Sequence, residues 1–570
     1  MTATPWGFRD ILPEEAQARE EIALTVKGCF REHHYLPVET PLLEDKGSLE
    51  EGGRIADTPF KLFDDDGRLL VVRPDNTLPI VRLVSTRMRA ADLPLRLRYE
   101  APVVRECQRN AGGSRQFTQL GFELIGAGDT AGDVEIVSLV AEAVRKLALP
   151  DARIIAGSVR PFKELLAACE DRELAAEALR CVHANDFVGL DARVAASAET
   201  DAVKAAVSEL PRLHGGAEVL DRVDALLAAA GIVAPLTREL RALVEGLAPE
   251  AQVLSFDFSI MNSFDYYTGL VFKAYAGGLP DPVGSGGRYD SIFTGAFGDG
   301  IEVPAAGFAF SLERLEAACT SAEDAASDGD HAVGRGAEGP LRIAVPKGSL
   351  KADTLDVLEA AGLDVSELRD PGRHLIVRGR DTRAGEGTVG DIEFVIVRPS
   401  DAPAFVGCGG ADCGICGWDS LIEADLNLLQ LVDLGYGLCT FIEAEPAWRA
   451  GQAERNYARR GSLRVATKYP RIASAWYAER GVNADIVSLH GNIELGPIVG
   501  MTDRIVDITA TGATLRDNDL VITGRIMDCT ARFFVNPGAA RLDPRVRNLA
   551  DRLAAAVKGK HFEPVAGSAQ

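Results

Sequence analysis

The chain has 570 residues, of which 46% are apolar, enough for three or four well-packed domains of roughly 150 residues each. Its 84 acidic and 61 basic side chains give a net charge of −23, and a field of that sign argues against nucleic acid as a partner. No apolar run approaches the roughly 18 residues of a membrane span, and the N-terminal residues lack the basic and apolar regions of a signal peptide, so we expect a cytoplasmic protein with no membrane partner.

The N-terminal region begins with a helical pattern and continues with strand-like segments. The predicted elements are a helix over 10–31 and strands over 69–72, 95–104 and 115–123. The last two strands flank a polar loop and indicate a hairpin. Gln119 and Glu123 are four residues apart in its second strand, so they face the same side. Two polar residues on one strand face suit a binding site, but they also suit a solvated surface. The residues alone leave both interpretations open.

Residues 130–247 are rich in alanine and leucine at helical spacing, which predicts an inserted helical module. Strand signals return at 253–258, and a glycine-containing strand enters a helix over 306–315. Beyond that point the composition changes, because residues 320–339 are mostly Ser, Asp, Ala and Gly with almost no large apolar side chain. This change predicts a flexible linker.

We therefore divide the chain into a first domain at 1–319, with its helical insertion at about 130–250, a linker at 320–340 and a second domain at 341–570. Strand and helix signals alternate in the second domain. Such alternation predicts two small open α/β sheets with a ligand between them.

A cysteine cluster lies in the second domain. Cys408, Cys413 and Cys416 are close in sequence, but a zinc site would need a fourth ligand, and the nearest candidate is Cys439. Reduced thiols are therefore the favoured interpretation, and we assign no metal ligand in the chain.

One stretch near the C-terminus combines a strand with small residues. Residues 506–515 read Val-Asp-Ile-Thr-Ala-Thr-Gly-Ala-Thr-Leu, an apolar strand followed by a loop without bulky side chains, with a helix able to open at Leu515. Such a turn points backbone N–H groups and the positive end of a helix at one spot, which suits a phosphate. Asp507 can face ribose hydroxyls or a magnesium ion. An ordinary strand–turn–helix connection fits the stretch equally well, and it lacks the Gly-Lys-Ser/Thr of a P-loop.

Five segments in the second domain carry a family resemblance, namely 345–348, 410–419, 467–470, 491–497 and 503–518. In this order they closely resemble the short-form catalytic subunit of ATP phosphoribosyltransferase. The resemblance implies a periplasmic-binding-protein-like α/β domain of two lobes. It also implies transfer of a phosphoribosyl group from phosphoribosyl pyrophosphate to ATP, the first step of histidine biosynthesis.

The resemblance also implies roles for individual residues. Phosphoribosyl pyrophosphate is expected at Asp507, Thr509, Ala510, Thr511, Gly512, Ala513, Thr514 and Glu494. The catalytic candidates are Asp507, Thr511 and Lys468, with Mg²⁺ as the cofactor. ATP is expected at Lys347, Gly348, Arg398 and Trp418. Trp418 stands where the family usually has a basic residue, and Ser349 where it commonly has arginine.

The first domain carries a second resemblance. A run around Pro37 is similar to motif 1 of the class II synthetases, 105–123 to motif 2 and 307–315 to motif 3. Together they resemble histidyl-tRNA synthetase and, more closely, its paralogue, the regulatory subunit of ATP phosphoribosyltransferase. The implied fold is a class II synthetase-like antiparallel sheet with a helical insertion. The whole chain is then a multidomain α/β and α+β fusion, which we expect to form a homo-oligomer.

This second resemblance implies a pocket that binds histidine as a feedback inhibitor. Its expected residues are Asp75, Thr77, Arg105, Gln119, Glu123, Tyr266 and Tyr267. An α-amino group suits Asp75, Thr77 and Gln119, whereas an imidazole N–H suits the Glu123 carboxylate.

Two alternatives remain open. A tRNA-charging enzyme is disfavoured because Asn262 stands where the synthetases carry an arginine important for activation, and because the second domain stands where the anticodon-binding domain should follow. A degenerate catalytic half that only binds ligands is the other, since Ser349 and Trp418 replace two cations of a polyphosphate site.

Overall fold

The computed structural model describes residues 3–47, 60–88, 92–106, 113–128, 130–247, 249, 253–260, 267–293, 303–327, 339–385, 387–509 and 512–559. Contacts divide the chain into two compact units: Met1–Gly339 together with Pro537–Asp543, and Pro340–Asn536 together with Pro544–Gln570. Within the described residues, no helix combines the length and apolar character that crossing a membrane requires.

Twelve described strands build the first unit: β1 (Leu36–Pro37), β2 (Leu43–Asp45), β3 (Lys61–Phe63), β4 (Leu69–Val72), β5 (Leu95–Val104), β6 (Gln116–Ile125), β7 (Arg153–Ser158), β8 (His214–Gly215), β9 (Leu254–Asp257), β10 (Leu270–Tyr275), β11 (Gly284–Arg288) and β12 (Ala305–Ser311). A nine-stranded, mostly antiparallel sheet has the order β1-β5-β6-β12-β11-β10-β7-β9-β8, and a three-stranded sheet has the order β2-β4-β3. The predicted hairpin is the antiparallel pair β5–β6. Its register sets Ala101 opposite Gln119 and Leu97 opposite Glu123, so these two polar side chains share one face.

The helices described in this unit are α1 (Pro13–Glu32), α2 (Thr77–Arg87), α3 (Thr130–Lys146), α4 (Arg160–Ala168), α5 (Arg172–His183), α6 (Phe187–Ala196), α7 (Asp201–Glu209), α8 (Val219–Ala229), α9 (Arg238–Gly246) and α10 (Leu312–Ser327). Helices α1, α3 and α10 pack against β6 or β12 and one another. Phe122 of β6 meets Phe30 of α1 edge to face, with ring centres 5.1 Å apart. Because Phe122 and Glu123 are neighbours in a strand, the helices cover the apolar face and the polar side chains occupy the other.

The structure differs in detail from two predictions for this unit, the helical insertion and the start of the linker. The stretch 130–250 is mainly helical, but it also contains β7 and β8, and β7 pairs along its whole length with β10. The β-branched pair Ile154 and Ile155 is buried in that strand. Helix α10 extends into the predicted linker as far as Ser327, and residues 328–338 lie outside the described residues.

The second unit contains two sheets, as a two-lobed α/β domain requires. Its strands are β13 (Leu341–Pro346), β14 (Ile376–Arg380), β15 (Asp391–Val397), β16 (Cys413–Gly417), β17 (Leu429–Asp433), β18 (Cys439–Pro446), β19 (Leu463–Thr467), β20 (Ala484–Ser488), β21 (Arg504–Thr509), β22 (Leu520–Cys529) and β23 (Ala531–Val535). One sheet has the order β14-β15-β13-β16-β23-β17 and the other β20-β19-β21-β18-β22. Strands β15, β13 and β16 run parallel in the first sheet, and β20, β19 and β21 in the second.

The helices in the C-terminal part of the chain are α11 (Lys351–Ala360), α12 (Ser366–Arg369), α13 (Ala402–Gly407), α14 (Trp418–Ala424), α15 (Gln452–Arg460), α16 (Pro470–Glu479), α17 (Leu495–Ile498), α18 (Ala513–Asp517), α19 (Pro537–Leu542) and α20 (Pro544–Val557). All except α19 belong to the second unit. The side chain of Trp418 packs against apolar clusters of both lobes, one containing Val406 and Phe534 and the other Phe441 and Val465.

Candidate functional site

The loop after β21 has the strand–loop–helix form that its sequence predicts. Strand β21 ends at Thr509, and α18 begins at Ala513, two residues before the predicted Leu515. Gly512 has a φ of +66°, a left-handed conformation that glycine adopts without strain. Its N–H donates to Thr509 Oγ1 at 3.0 Å, which closes the turn. Ala510 and Thr511 lie outside the described residues.

Three predicted site residues interact electrostatically beside this loop. Burial raises the pKa of Asp507 to about 6, although the N–H of Ile508 donates to its carboxylate at 2.8 Å and opposes the rise. The Glu494 carboxylate raises that pKa further, whereas the Lys468 ammonium lowers it. Lys468 directly follows β19, which is parallel to both β20 and β21. The group therefore lies where the carboxyl ends of parallel strands converge, a common place for ligands in α/β sheets.

Asp419, at the beginning of α14, adds a carboxylate from the other lobe. Burial raises the pKa of Asp419, while a hydrogen bond from the Tyr469 hydroxyl and the charge of Lys468 lower it. Burial also raises the pKa of Tyr469, and the nearby Asp419 and Asp507 carboxylates raise it further. Lys468 and Tyr469 thus interact with carboxylates of both lobes.

Two cations follow neighbouring strands of the six-stranded sheet. Pro346 of β13 pairs with Val397 of β15, and the next residues are Lys347 and Arg398, both exposed. The Lys347 N–H donates to the Val397 carbonyl oxygen at 2.9 Å. Gly348 has a φ of +88°, and no heavy atom lies within 4 Å of the place its side chain would take. The two predicted nucleotide-binding cations therefore lie at one open sheet edge.

Trp418 lies at the carboxyl end of β16 in the same sheet. Its backbone N–H donates to the Thr530 carbonyl oxygen at 3.0 Å. The Arg532 guanidinium lies 5.3 Å from the centre of the Trp418 ring. The ring is partly buried by the apolar clusters of both lobes. Its assignment to the ATP site stays a prediction.

Glu123 is the centre of a second candidate site, in the first unit. The side chain is 1% exposed, and its carboxylate accepts hydrogen bonds from Tyr289, from Thr77 at 3.0 Å and from Tyr99 at 3.3 Å. Burial raises the pKa of Glu123 to about 7, against the lowering effect of the Tyr289 and Thr77 hydroxyls. The Asp75 carboxylate raises this pKa as well. We call this site, lined by Asp75, Thr77, Tyr99, Gln119, Glu123 and Tyr289, the effector pocket.

Asp75 and Asn76 leave acceptor atoms available in the effector pocket. Among the described residues, Asp75 Oδ2 and Asn76 Oδ1 are buried without a hydrogen-bond partner. Burial raises the pKa of Asp75, and the charge of Arg105 opposes the rise. Gln119 Oε1 accepts from the Asn76 side-chain amide at 2.8 Å. Buried acceptors without partners are costly, and an ammonium group of a ligand would satisfy them.

Three glycines leave room for side chains in and beside the effector pocket. A Cβ at Gly121 would lie 2.3 Å from the Tyr99 ring, and one at Gly307 would lie 1.7 Å from Glu123 Oε2. A Cβ at Gly287 would lie 2.6 Å from the Tyr267 ring. The Tyr99, Glu123 and Tyr267 side chains therefore occupy space that a side chain on the adjacent strands would need.

Three more residues were predicted for the effector pocket: Tyr267, Arg105 and Tyr266. Tyr267 is buried in the apolar cluster that also contains Tyr289. Arg105 donates from Nε to the Pro74 carbonyl oxygen at 2.7 Å, and its guanidinium lies 5.1 Å from the Phe117 ring centre. Tyr266 lies outside the described residues, as does Asn262.

Sequence reasoning missed Tyr99 and Tyr289, and it placed Asp419 in a family-like segment without assigning it a role. Tyr99 lies opposite Gly121 in the register of β5 and β6, a pairing that becomes visible only once the hairpin register is known. Tyr289 directly follows the glycine-rich β11. Glycines within a strand can mark a place where a ligand approaches the backbone, and this was the signal in the sequence that could have pointed to Tyr289.

Known families match the chain in two consecutive parts. Residues 7–315 match the family described as Histidyl-tRNA synthetase, and residues 398–556 match the family described as ATP phosphoribosyltransferase. The ATP phosphoribosyltransferase of Rubrobacter xylanophilus is 46% identical over 227 residues, which are 40% of this chain and 99% of that protein. An ATP phosphoribosyltransferase regulatory subunit of Moorella thermoacetica is 39% identical over 321 residues, 55% of this chain and 80% of the relative.

A solved structure resembles the first part. It is described as an ATP phosphoribosyltransferase regulatory subunit/histidyl-tRNA synthetase from Bacillus halodurans. It has a TM-score of 0.51 and 27% identity, and the match covers 63% of this chain and 89% of that structure. The class II synthetase-like fold predicted for the first domain is therefore confirmed.

Proposed function

This chain belongs to the ATP phosphoribosyltransferase family as a fusion of a regulatory N-terminal half with a catalytic C-terminal half, and we propose that histidine bound in the first half inhibits the second. The enzyme converts ATP and phosphoribosyl pyrophosphate to phosphoribosyl-ATP and pyrophosphate. We further propose that it acts in the cytoplasm as a homo-oligomer. Joining the halves in one chain fixes their ratio and raises their mutual concentration to the millimolar range.

The loop after β21 is the proposed site of the sugar phosphate. The start of α18 would offer backbone N–H groups to the 5′-phosphate, with the hydroxyls of Thr509 and Thr514 beside them. Asp507, as a carboxylate, accepts hydrogen bonds from the ribose hydroxyls. This arrangement holds the anomeric carbon in place for attack by adenine N1 as pyrophosphate leaves, so alignment supplies much of the rate enhancement.

Lys468 is the proposed counter-charge for the leaving pyrophosphate. It interacts with Asp507 and Asp419, whose pKa values it lowers, so its ammonium lies among carboxylates of both lobes. Negative charge grows on the pyrophosphate as the glycosidic bond breaks, and a fixed cation stabilises that charge more than it stabilises the ground state. Lys347 and Arg398 are proposed to bind the phosphates of ATP at the other sheet edge.

The carboxylates of this site fit magnesium. The described residues contain no group of three or more His, Cys, Asp or Glu that could hold a metal by themselves. Magnesium commonly uses one or two carboxylates and takes its other ligands from water and substrate phosphates. Asp507 and Glu494 would supply those carboxylates, and the bound ion would neutralise charge on the pyrophosphate.

The effector pocket is proposed to bind histidine. The α-amino group would satisfy Asp75 Oδ2, which is buried without a hydrogen-bond partner among the described residues, while the imidazole N–H would donate to Glu123. Inhibition then requires that histidine bind the less active state of the enzyme more tightly.

The observation that carries the proposal is the buried, polar effector pocket in a chain whose C-terminal half is catalytic. The test is steady-state turnover with and without histidine, in the wild type and in Glu123→Ala. We expect the variant to keep its basal turnover within twofold and to lose at least tenfold in sensitivity to histidine. Full sensitivity in Glu123→Ala would contradict the assignment of the pocket.

A further inference from the structure

A short segment of the C-terminal half belongs to the first unit. Residues 537–543, which contain α19, group by their contacts with the N-terminal half of the chain. The chain leaves the second unit after Asn536 and returns to it at Pro544. We call residues 537–543 the coupling segment, because it is joined covalently to the second unit at both ends.

Arg541 anchors the coupling segment. Its side chain is 4% exposed and lies 3.2 Å from the carboxylate of Asp257, which is equally buried. Arg541 also donates to Ser259 Oγ at 3.0 Å, and its guanidinium lies 5.5 Å from the Tyr275 ring centre. Burial and then the charge of Arg541 lower the pKa of Lys273 to about 7. A buried ion pair with additional hydrogen bonds holds a segment in one register.

The segment also contacts the wall of the effector pocket. Leu542 packs against the apolar cluster that contains Tyr267, Tyr275 and Tyr289. Tyr289 donates its hydroxyl to Glu123, the centre of the pocket. A ligand that moves the tyrosines therefore changes the surface on which Leu542 rests.

The other end of the path lies in the catalytic half. Asn536 directly follows β23, which pairs with β16 on one side and β17 on the other. Arg532 of β23 lies beside the ring of Trp418, and Trp418 precedes Asp419. A displacement of the coupling segment would therefore displace β23, a central strand. Its neighbour β16 ends at the catalytic edge.

We infer that the coupling segment transmits occupancy of the effector pocket to the catalytic half, an inference that rests on the proposed feedback by histidine. Because physical continuity alone does not demonstrate coupling, the test uses variants in which histidine still binds but inhibits the catalytic half less. Arg541→Ala removes the anchor. Arg541→Ala also takes the cation away from the buried Asp257 carboxylate, which can impair folding. Leu542→Ala leaves that ion pair intact and serves as the second variant if Arg541→Ala does not fold.

The matched control is Arg552→Ala. Arg552 lies in α20 and pairs with buried Asp381 at 2.5 Å, so this variant also loses a buried ion pair, but one that lies wholly within the second unit. The readouts, on the full chain, are the histidine concentration for half inhibition and the histidine Kd by calorimetry without substrates. We expect Arg541→Ala and Leu542→Ala to raise the half-inhibitory concentration at least tenfold with Kd changed less than threefold, and Arg552→Ala to leave both within threefold.

Two results would overturn the inference. Inhibition of both variants at the wild-type concentration would show that the segment transmits nothing, and a parallel loss of histidine binding would make Arg541 part of the pocket instead. Absence of inhibition in the wild type is a different outcome, because it contradicts the proposed feedback itself.

Discussion

The effector pocket and the catalytic edge are built in opposite ways. The pocket is closed: Glu123 is almost fully buried, three hydroxyls already donate hydrogen bonds to it, and glycines on neighbouring strands leave room for Tyr99 and Glu123. The proposed catalytic edge is open, since Lys347 and Arg398 are exposed and the proposed phosphate site begins at the end of β21.

This difference suits the ligands proposed for the two sites. A small amino acid can be recognised by buried polar groups whose arrangement is fixed before binding. Their conformational entropy is lost during folding, so binding does not have to order them. Two large polyanionic substrates must enter, align and leave, so their site uses strand ends that converge at sheet edges and backbone N–H groups that need no rearrangement. Changes in the pocket should therefore alter regulation and pH-dependent stability, whereas changes at the edge should alter catalysis.

The largest effect is expected at Asp507. Asp507→Asn keeps the size of the side chain but removes the charge proposed to hold the ribose hydroxyls, and we expect turnover to fall about 100- to 1000-fold. Asp485→Asn is the control, because Asp485 is an exposed aspartate of β20 in the same sheet. It should keep turnover within twofold, and an Asp507→Asn enzyme with more than about a tenth of wild-type activity would remove Asp507 from the catalytic group.

The pH dependence of stability distinguishes the pocket from the edge. Folding raises the pKa of Glu123 from its ordinary 4.5 to about 7, so the fold favours the protonated acid. The wild type therefore loses stability as pH rises from about 4.5 through 7, by about 3 kcal/mol for roughly 2.5 pKa units. Glu123→Gln, which resembles the protonated form, escapes this loss.

Thermal denaturation at pH 5 and pH 8 checks this prediction. At pH 8 the transition of the N-terminal half should occur several degrees higher in Glu123→Gln than in the wild type, and at pH 5 the difference should shrink. Glu100→Gln, at an exposed glutamate of β5, is the control and should follow the wild type at both pH values. A constant gap between Glu123→Gln and the wild type would show that Glu123 is ionised throughout.

A smaller effect is expected from the turn of the phosphate loop. Gly512→Ala places a side chain in a left-handed conformation, which costs about 1–2 kcal/mol, so we expect the KM for phosphoribosyl pyrophosphate to rise about tenfold. Gly461 has a φ of +75° at the end of α15, away from the loop, and has open space around it. Gly461→Ala thus bears the same backbone cost and should leave KM unchanged. Equal KM values in the two variants would contradict a role for the loop in binding.

Local patterns in the sequence predicted much of the fold. The strands at Leu69–Val72 and Leu95–Val104 have the predicted bounds, because alternating or β-branched residues between turns set them locally. Strand β7 was missed because its few residues lie inside a long helical stretch and gain their stability from pairing with β10.

The grouping of the site candidates was predictable where it depends on chain order and not where it depends on strand register. Lys468 and Asp507 each lie at or beside the end of a parallel strand, and the structure brings them together with Glu494. Tyr99 and Tyr289 reach Glu123 across strands, so only the pairing of the sheet reveals them. The membership of residues 537–543 in the first unit depends on contacts between residues far apart in the sequence, such as Arg541 with Ser259, which lies 282 positions earlier. No local pattern signals it.

The central claim is that the two ligands bind in different halves of one chain. Hydrogen–deuterium exchange on the full chain tests it most directly, with phosphoribosyl pyrophosphate and magnesium in one experiment and histidine alone in another. We predict that the sugar phosphate slows exchange in residues 504–517 and that histidine slows it in residues 73–78 and 116–125. Protection of the effector pocket by phosphoribosyl pyrophosphate, with none in residues 504–517, would contradict the account.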